Sequence, residues 1–153
     1  KFWGAPNATR AVIWTLLPGA DEGKPDPYQT LKQSVQIGEQ KGVRLSHALY
    51  AVAAQASGDD AKIRDALRSY AASQADDKPV NPNFKLIDSM AGLIVRGISD
   101  RYWTEHTGVR TGDDGMSHFW DDKNEGAAEL DELFDGGAAS EVPADSSTTP
   151  AAQ

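Results

Sequence analysis

Apolar residues recur at three- and four-residue steps over residues 82–106, the longest such segment of the chain. This spacing places them on one stripe of an α-helix. The stripe consists of Ile87, Met90, Ala91, Ile94, Ile98 and Tyr102, and it is widened by Leu86, Leu93 and Trp103. A helix that is apolar over so much of its girth is usually buried between neighbours. The pattern therefore predicts one long central helix, begun by an Asn81 cap and a first-turn Pro82.

Shorter segments before it carry narrower apolar stripes with start and stop signals. The predicted helices cover residues 27–41, 46–57 and 60–71, with an earlier one over residues 7–17. Gly58 is predicted to end the helix over 46–57, and the predicted N-terminal caps are Asn7, Asp26, Ser46 and Asp59. The earliest segment is also rich in strand-forming residues, so a strand is the alternative there. Short loops join these segments. The predicted fold class is all-α, a bundle or orthogonal array of four to five helices around one long central helix, with an acidic, partly disordered C-terminal arm.

Charge divides the chain at the end of the long helix. Residues 1–110 hold 14 Lys and Arg against 12 Asp and Glu, a balance of +2, whereas residues 111–153 hold one Lys against 11 Asp and Glu, a balance of −10. We predict a helical domain over 1–110, an acidic Gly-rich arm over 111–135 that contains a short amphipathic helix at 127–134, and a low-complexity tail over 136–153. Such an acidic tail disfavours nucleic-acid binding and favours either a basic protein partner or a solubilising role.

Composition excludes several classes of site. The chain has no cysteine, which excludes disulfides, thiolate chemistry and Cys-based zinc or iron–sulfur sites. No uninterrupted apolar run approaches the about 20 residues that a membrane span needs. We therefore expect a soluble protein with no membrane span and no cofactor, and the cytoplasm is the favoured location. The chain starts at Lys1 rather than Met, which leaves open whether a segment was removed before it.

Aromatic and apolar residues near the acidic arm are the candidate partner-binding set. They are Trp103, Phe119, Trp120, Leu130, Leu133 and Phe134. Trp and other large apolar side chains dominate protein–protein hot spots, and a short amphipathic helix is a common docking element. The alternative is that these residues fill and seal the core. The favoured function is a protein–protein interaction module, an assembly, adaptor or inhibitor protein that docks through a helix surface and the acidic arm.

A polar cluster over residues 105–122 supports the alternative function, a metal-dependent enzyme or divalent-metal-binding domain. His and carboxylate side chains are ligands of Zn²⁺ and Mn²⁺. Residues 121–132 also match a calcium-loop template at its first, sixth and twelfth positions, but a lysine stands at the third. The metal candidates are His106, His118, Asp121, Glu125 and Glu132. Their spacing fits no standard ligand pattern, so a non-enzymatic role is favoured.

The remaining features of the sequence are weaker evidence for a function. His47 lies in the first turn of an Ala-rich helix and is expected to be a surface histidine without a catalytic partner. Three cations on one predicted helix, Lys62, Arg64 and Arg68, could contact nucleic acid, but a solvated face explains them better. A helix apolar on so many sides could also complete its core against a second copy, so a homo-oligomer is the other partner that the sequence allows.

Overall fold

The structure, a computed structural model, describes residues 2–74 and 79–122. Over these residues it contains five α-helices, one short 3₁₀ helix and no strand. The α-helices are α1 (Ala5–Leu16), α2 (Pro27–Glu39), α3 (Leu45–Ser57), α4 (Asp60–Ala72) and α5 (Lys85–Thr107), and the 3₁₀ helix is Pro82–Phe84. The predicted all-α fold class is confirmed. The predicted amphipathic helix over residues 127–134 lies outside the described residues.

Capping residues place most helix ends where the sequence predicts them. Asp26 caps α2 by accepting a hydrogen bond from the Tyr28 backbone N–H at 2.9 Å. Asp59 caps α4 in the same way through the Lys62 N–H. Gly58 ends α3 in the left-handed region, at φ 62°. Such a cap satisfies backbone groups that the helix end leaves unpaired.

Three predicted caps differ from the structure. Asn81 caps the 3₁₀ helix Pro82–Phe84 instead of α5, which begins at Lys85. The other two caps are wrong because of tertiary contacts. Asn7 lies inside α1, which begins at Ala5 after Gly4, at φ 78°. A Cβ at Gly4 would lie 2.6 Å from the Ser34 carbonyl oxygen, so glycine permits the close approach of α1 to α2. Ser46 lies inside α3, where its hydroxyl donates to the Trp3 carbonyl oxygen at 3.2 Å. The strand alternative for the first segment is excluded by α1.

Helix α3 is the element that contacts all four other α-helices. Its buried surface is largely made of small side chains, including Ala48, Ala51, Ala53 and Ala54. Small residues let helix axes approach closely, so α3 can be surrounded on every side. The sequence predicts the long helix α5 at the centre, but α3 occupies that position and packs against α5 as one of its neighbours.

The long helix α5 lies on one side of α3 and has only a slight contact with α4. It buries the face that carries Asp88, Ala91, Val95, Ile98, Ser99 and Tyr102. Leu86 and Leu93, expected inside, are each 75% exposed. Neighbouring elements among the described residues therefore cover only part of the apolar circumference of α5. No helix among the described residues is long and apolar enough to span a membrane.

A buried ion pair joins the start of α3 to α5. The Asp88 carboxylate accepts from the Arg44 backbone N–H at 3.1 Å and from Arg44 Nη1 at 2.9 Å. Arg44 also donates twice to the Ser73 carbonyl oxygen just after α4, from Nε at 3.0 Å and Nη2 at 2.9 Å. The two charged side chains are only 12% and 10% exposed. One guanidinium thus links three helices by hydrogen bonds.

Candidate interaction surface on the long helix

An aromatic cluster surrounds the C-terminal end of α5. The chain turns after Gly108 and runs back so that Phe119 packs edge-on to Tyr102 and stacks over Trp103. Trp120 stacks on the His106 ring at 4.9 Å between centroids. The Trp103 indole N–H donates to the Gly115 carbonyl oxygen at 2.7 Å. These contacts fix residues 115–120 on the helix.

Two arginines of α4 complete this cluster. The Arg64 guanidinium carbon lies 4.9 Å from the Phe119 ring centroid and 5.0 Å from that of Trp120. Its Nε donates to the Tyr102 hydroxyl at 2.9 Å. Arg68 lies 4.9 Å from the Phe119 centroid and donates to the Ser117 carbonyl oxygen. Cation–π contacts of this kind stabilise by roughly 0.5–2 kcal/mol each. These two arginines therefore serve the packing of α4 against residues 117–120.

Three of the six predicted partner-binding residues belong to this aromatic cluster. Phe119 is only 4% exposed, Trp103 is partly buried and Trp120 is 38% exposed. Of these three, Trp120 presents the most surface. Leu130, Leu133 and Phe134 lie outside the described residues. Whether any of the six binds a partner stays a prediction.

The metal candidates are not brought together in the described part of the chain. His106 Nε2 lies 3.6 Å from Asp60 Oδ2 and His118 Nδ1 lies 3.8 Å from Asp114 Oδ2, so the two histidines have different carboxylate neighbours. No group of three His, Asp or Glu side chains that could hold a metal ion occurs there. Asp121 is within the described residues, and Glu125 and Glu132 are outside them.

The other predicted polar sites are also placed by the fold. His47, expected at the surface, is fully buried, with its Nε2 3.4 Å from Glu39 Oε1 and its ring edge-on to Tyr70. It faces inward because α3 is central, so even the first turn of this helix is covered. Lys62 lies next to Asp59, at 2.7 Å, rather than on an open basic face.

The largest pKa shift is that of the Tyr50 hydroxyl, on α3. Burial raises the pKa of this hydroxyl well above its ordinary value, and its hydrogen bond to Asp65 raises it further. Burial works to raise the pKa of Asp65, but hydrogen bonds from Lys32 and Tyr50 outweigh it and lower that pKa. The hydrogen bond thus keeps the Tyr50 hydroxyl neutral and the Asp65 carboxylate charged, so the role of this pair is structural.

The outer face of α5 is the feature that the sequence did not locate. We give this name to Leu86, Met90, Leu93, Ile94 and Gly97, which lie together opposite the buried stripe. Leu86 and Leu93 are each 75% exposed, Met90 54% and Ile94 40%. Scattered exposed apolar residues are normal, whereas a contiguous group such as this one is a candidate interaction surface.

Open space adjoins this face on one side. A groove of about 690 Å³ runs between the end of α4, the middle of α5 and residues 113–117. Leu93 and Arg96 line it from α5, and Tyr70 lines it from α4. An added Cβ at Gly92 would lie 2.7 Å from the Tyr70 hydroxyl, so the absence of a side chain there allows Tyr70 of α4 to approach α5 at the wall of the groove.

Charged residues frame the outer face. Arg96 Nε lies 3.3 Å from Asp100 Oδ1 on one flank, and Arg101 Nε lies 2.7 Å from Glu105 Oε1 on the other. An apolar centre with a charged rim is the usual anatomy of a protein–protein interface. No protein-family model, no curated protein and no solved structure matches this chain.

Proposed function

We propose that this chain is a protein–protein interaction module that docks through the outer face of α5. One observation carries the proposal: α5 has two apolar faces, and the described residues cover only one of them. Leu86, Met90 and Leu93 are more than half exposed while Ala91 and Val95 on the opposite face are fully buried. A helix with this double pattern is typical of an element shared between two molecules.

The energy available at this face is enough for a specific contact. Complete burial of an aliphatic side chain contributes roughly 1.5–3 kcal/mol. Scaled by the exposed fractions of Leu86, Leu93, Met90 and Ile94, 75%, 75%, 54% and 40%, the face offers about 4–7 kcal/mol to a partner. That is similar to the cost of fixing two molecules together, so additional contacts at the charged rim would decide the affinity.

The acidic residues after α5 support the same function by a different route. Residues 111–153 carry a balance of −10, with one Lys against 11 Asp and Glu. A field of one sign speeds the encounter with a partner of opposite sign, and salt weakens this effect. We propose that residues 111–153 steer a basic protein surface toward the predicted amphipathic helix over residues 127–134, as a second docking element distinct from the outer face of α5.

Site-specific photocrosslinking tests the docking surface. A photoreactive phenylalanine analogue at position 93, in the full chain, is irradiated in an extract of the native cells, with position 17 as the control. Leu17 is also apolar and exposed, at 56%, but lies after α1. Defined adducts at position 93, lost on competition with unlabelled wild type but not with Leu86→Glu, are expected. Equal adducts from both positions, or none from position 93, would refute the proposal.

A further inference from the structure

The outer face of α5 is complementary to itself when one helix is reversed. Leu86, Met90, Leu93 and Gly97 follow each other at steps of four, three and four residues, which is one line along a helix. A second α5 can be placed antiparallel to the first, with the midpoints of the two lines side by side. Leu86 of one helix then faces Gly97 of the other, and Met90 faces Leu93. A Cβ at Gly97 would meet nothing within 4 Å, so this position is an open notch. A large side chain therefore lies over the smallest one at both ends.

The charges on the flank nearest α4 agree with the same reversal. Lys85, Ser89, Arg96 and Asp100 lie on that flank, by the 100° turn per residue of a helix. In an antiparallel pair like flanks meet. Lys85 of one copy then lies opposite Asp100 of the other, and Arg96 lies opposite Ser89. Each cation meets a carboxylate or a hydroxyl, and no two cations are brought together.

A parallel pair has the opposite consequence. In a parallel pair, the flank of one copy that carries Arg96 faces the opposite flank of the second copy. Each residue then lies beside the residue about five positions later in the second copy. This sets Arg96 beside Arg101 of the second copy, and Asp100 beside Glu105. Like charges at such positions oppose association. The charge pattern thus selects the antiparallel arrangement.

We propose that the partner of the outer face of α5 is a second copy of this chain, bound with the two α5 helices antiparallel about a two-fold axis near Gly92. The inference rests on the proposed function, because it names the occupant of that surface. A single pair of helix faces buries less than the about 1,200 Å² of a standard interface. We therefore expect a reversible dimer that forms at roughly tens of micromolar.

Disulfide trapping tests the register, and the chain is well suited to it because it has no cysteine. The double variant Leu86→Cys/Gly97→Cys should give a covalent dimer under mild oxidation. Within one chain these positions are about 16 Å apart along the helix, whereas a disulfide needs Cα atoms closer than about 7 Å. Leu86→Cys alone should not crosslink in the antiparallel pair. A dimer from this single variant, or none from the double variant, would overturn the proposed arrangement.

Sedimentation equilibrium of the unmodified chain gives the second test. The average mass of the wild type should rise from 16.4 kDa towards twice that value with concentration. Leu93→Glu should stay at one copy, and Leu17→Glu, on α1's side of the molecule, should behave as wild type. A wild type that stays at one copy up to roughly 500 μM, well above the expected range, would overturn the dimer. Photocrosslinking to a different protein at position 93 would then still support the proposed function, so the two failures are distinguishable.

Discussion

The Arg44–Asp88 pair is expected to be the most sensitive polar contact of the fold. Asp88→Ala removes a carboxylate that accepts two hydrogen bonds from Arg44, at 3.1 and 2.9 Å, in a site where the two side chains are 12% and 10% exposed. The guanidinium is then left in the interior without its carboxylate. Breaking a buried pair in this way costs about 3–5 kcal/mol. That is at least about a fifth of the about 5–15 kcal/mol that stabilises a typical domain.

A double-mutant cycle isolates the pairwise part of this loss. Arg44→Ala, Asp88→Ala and the double variant are unfolded with urea and followed by far-UV circular dichroism, with free energies from linear extrapolation. We expect each single variant to lose about 3–5 kcal/mol and the pair to be coupled by about 2–3 kcal/mol. Asp88→Asn, which keeps the shape and one acceptor oxygen, should lose less, about 1–3 kcal/mol.

The exposed pair Arg101–Glu105 is the matched control. It has a comparable distance, 2.7 Å, but its side chains are 66% and 54% exposed. Water screens such a pair, so its coupling should be only about 0.3–0.5 kcal/mol. If the coupling of Arg44 to Asp88 were as small as this control value, burial would not be what makes the pair strong, and the reasoning would be wrong.

Three further perturbations have distinct expected outcomes. The raised pKa of Tyr50 contributes stability that is complete below the ordinary value of 10.0 and is lost as pH rises above it, so urea titrations at pH 8 and 11 should differ less for Tyr50→Phe than for wild type. Gly42→Ala places a Cβ 2.8 Å from backbone atoms, at φ 66°. At Gly58 nothing lies within 4 Å of an added Cβ, so Gly58→Ala should lose only about 1–2 kcal/mol of stability. Gly42→Ala should lose more, and thermal melts compare the two variants. Phe119→Ala, at a 4% exposed position, should cost about 3–5 kcal/mol and shift tryptophan fluorescence to longer wavelength, because Trp103 loses its stacking partner.

Much of the fold could be predicted because helix signals are local. The Asp26 cap, the Gly58 stop and the apolar stripes each involve residues within a few positions of one another. The centre of the bundle could not be predicted in the same way. Long apolar stripes favour α5, but small side chains decide which helix can be surrounded, and the Ala residues of α3 allow that. His47 is buried for the same reason, because it lies on the central helix α3. The residues next to it in the sequence do not predict this burial.

The candidate surface was only half visible in the sequence. Leu86 and Leu93 show in the sequence that the apolar stripe of α5 is wide. The stripe predicts burial, but it does not indicate whether the residues that bury it belong to the same molecule. The aromatic residues near the end of α5 were found, whereas their contacts with Arg64 and Arg68 were not, because 38 or more positions separate Arg64 from its partner Tyr102 and the rings beyond. Long-range pairings of this kind leave no periodic trace.

The position of α5 on one side of α3 has a consequence for how the fold opens. Helices α1, α2 and α4 all contact α3, while α5 reaches the rest of the bundle mainly through α3 alone. The removal of α5 would therefore leave four helices still packed together. Hydrogen exchange should then show two cooperative units, with amides of the first half of α5 exchanging before those of α3. The surface exposed by such an opening would be the Ala-rich side of α3, which gives the chain a second apolar face that exists only in the open form.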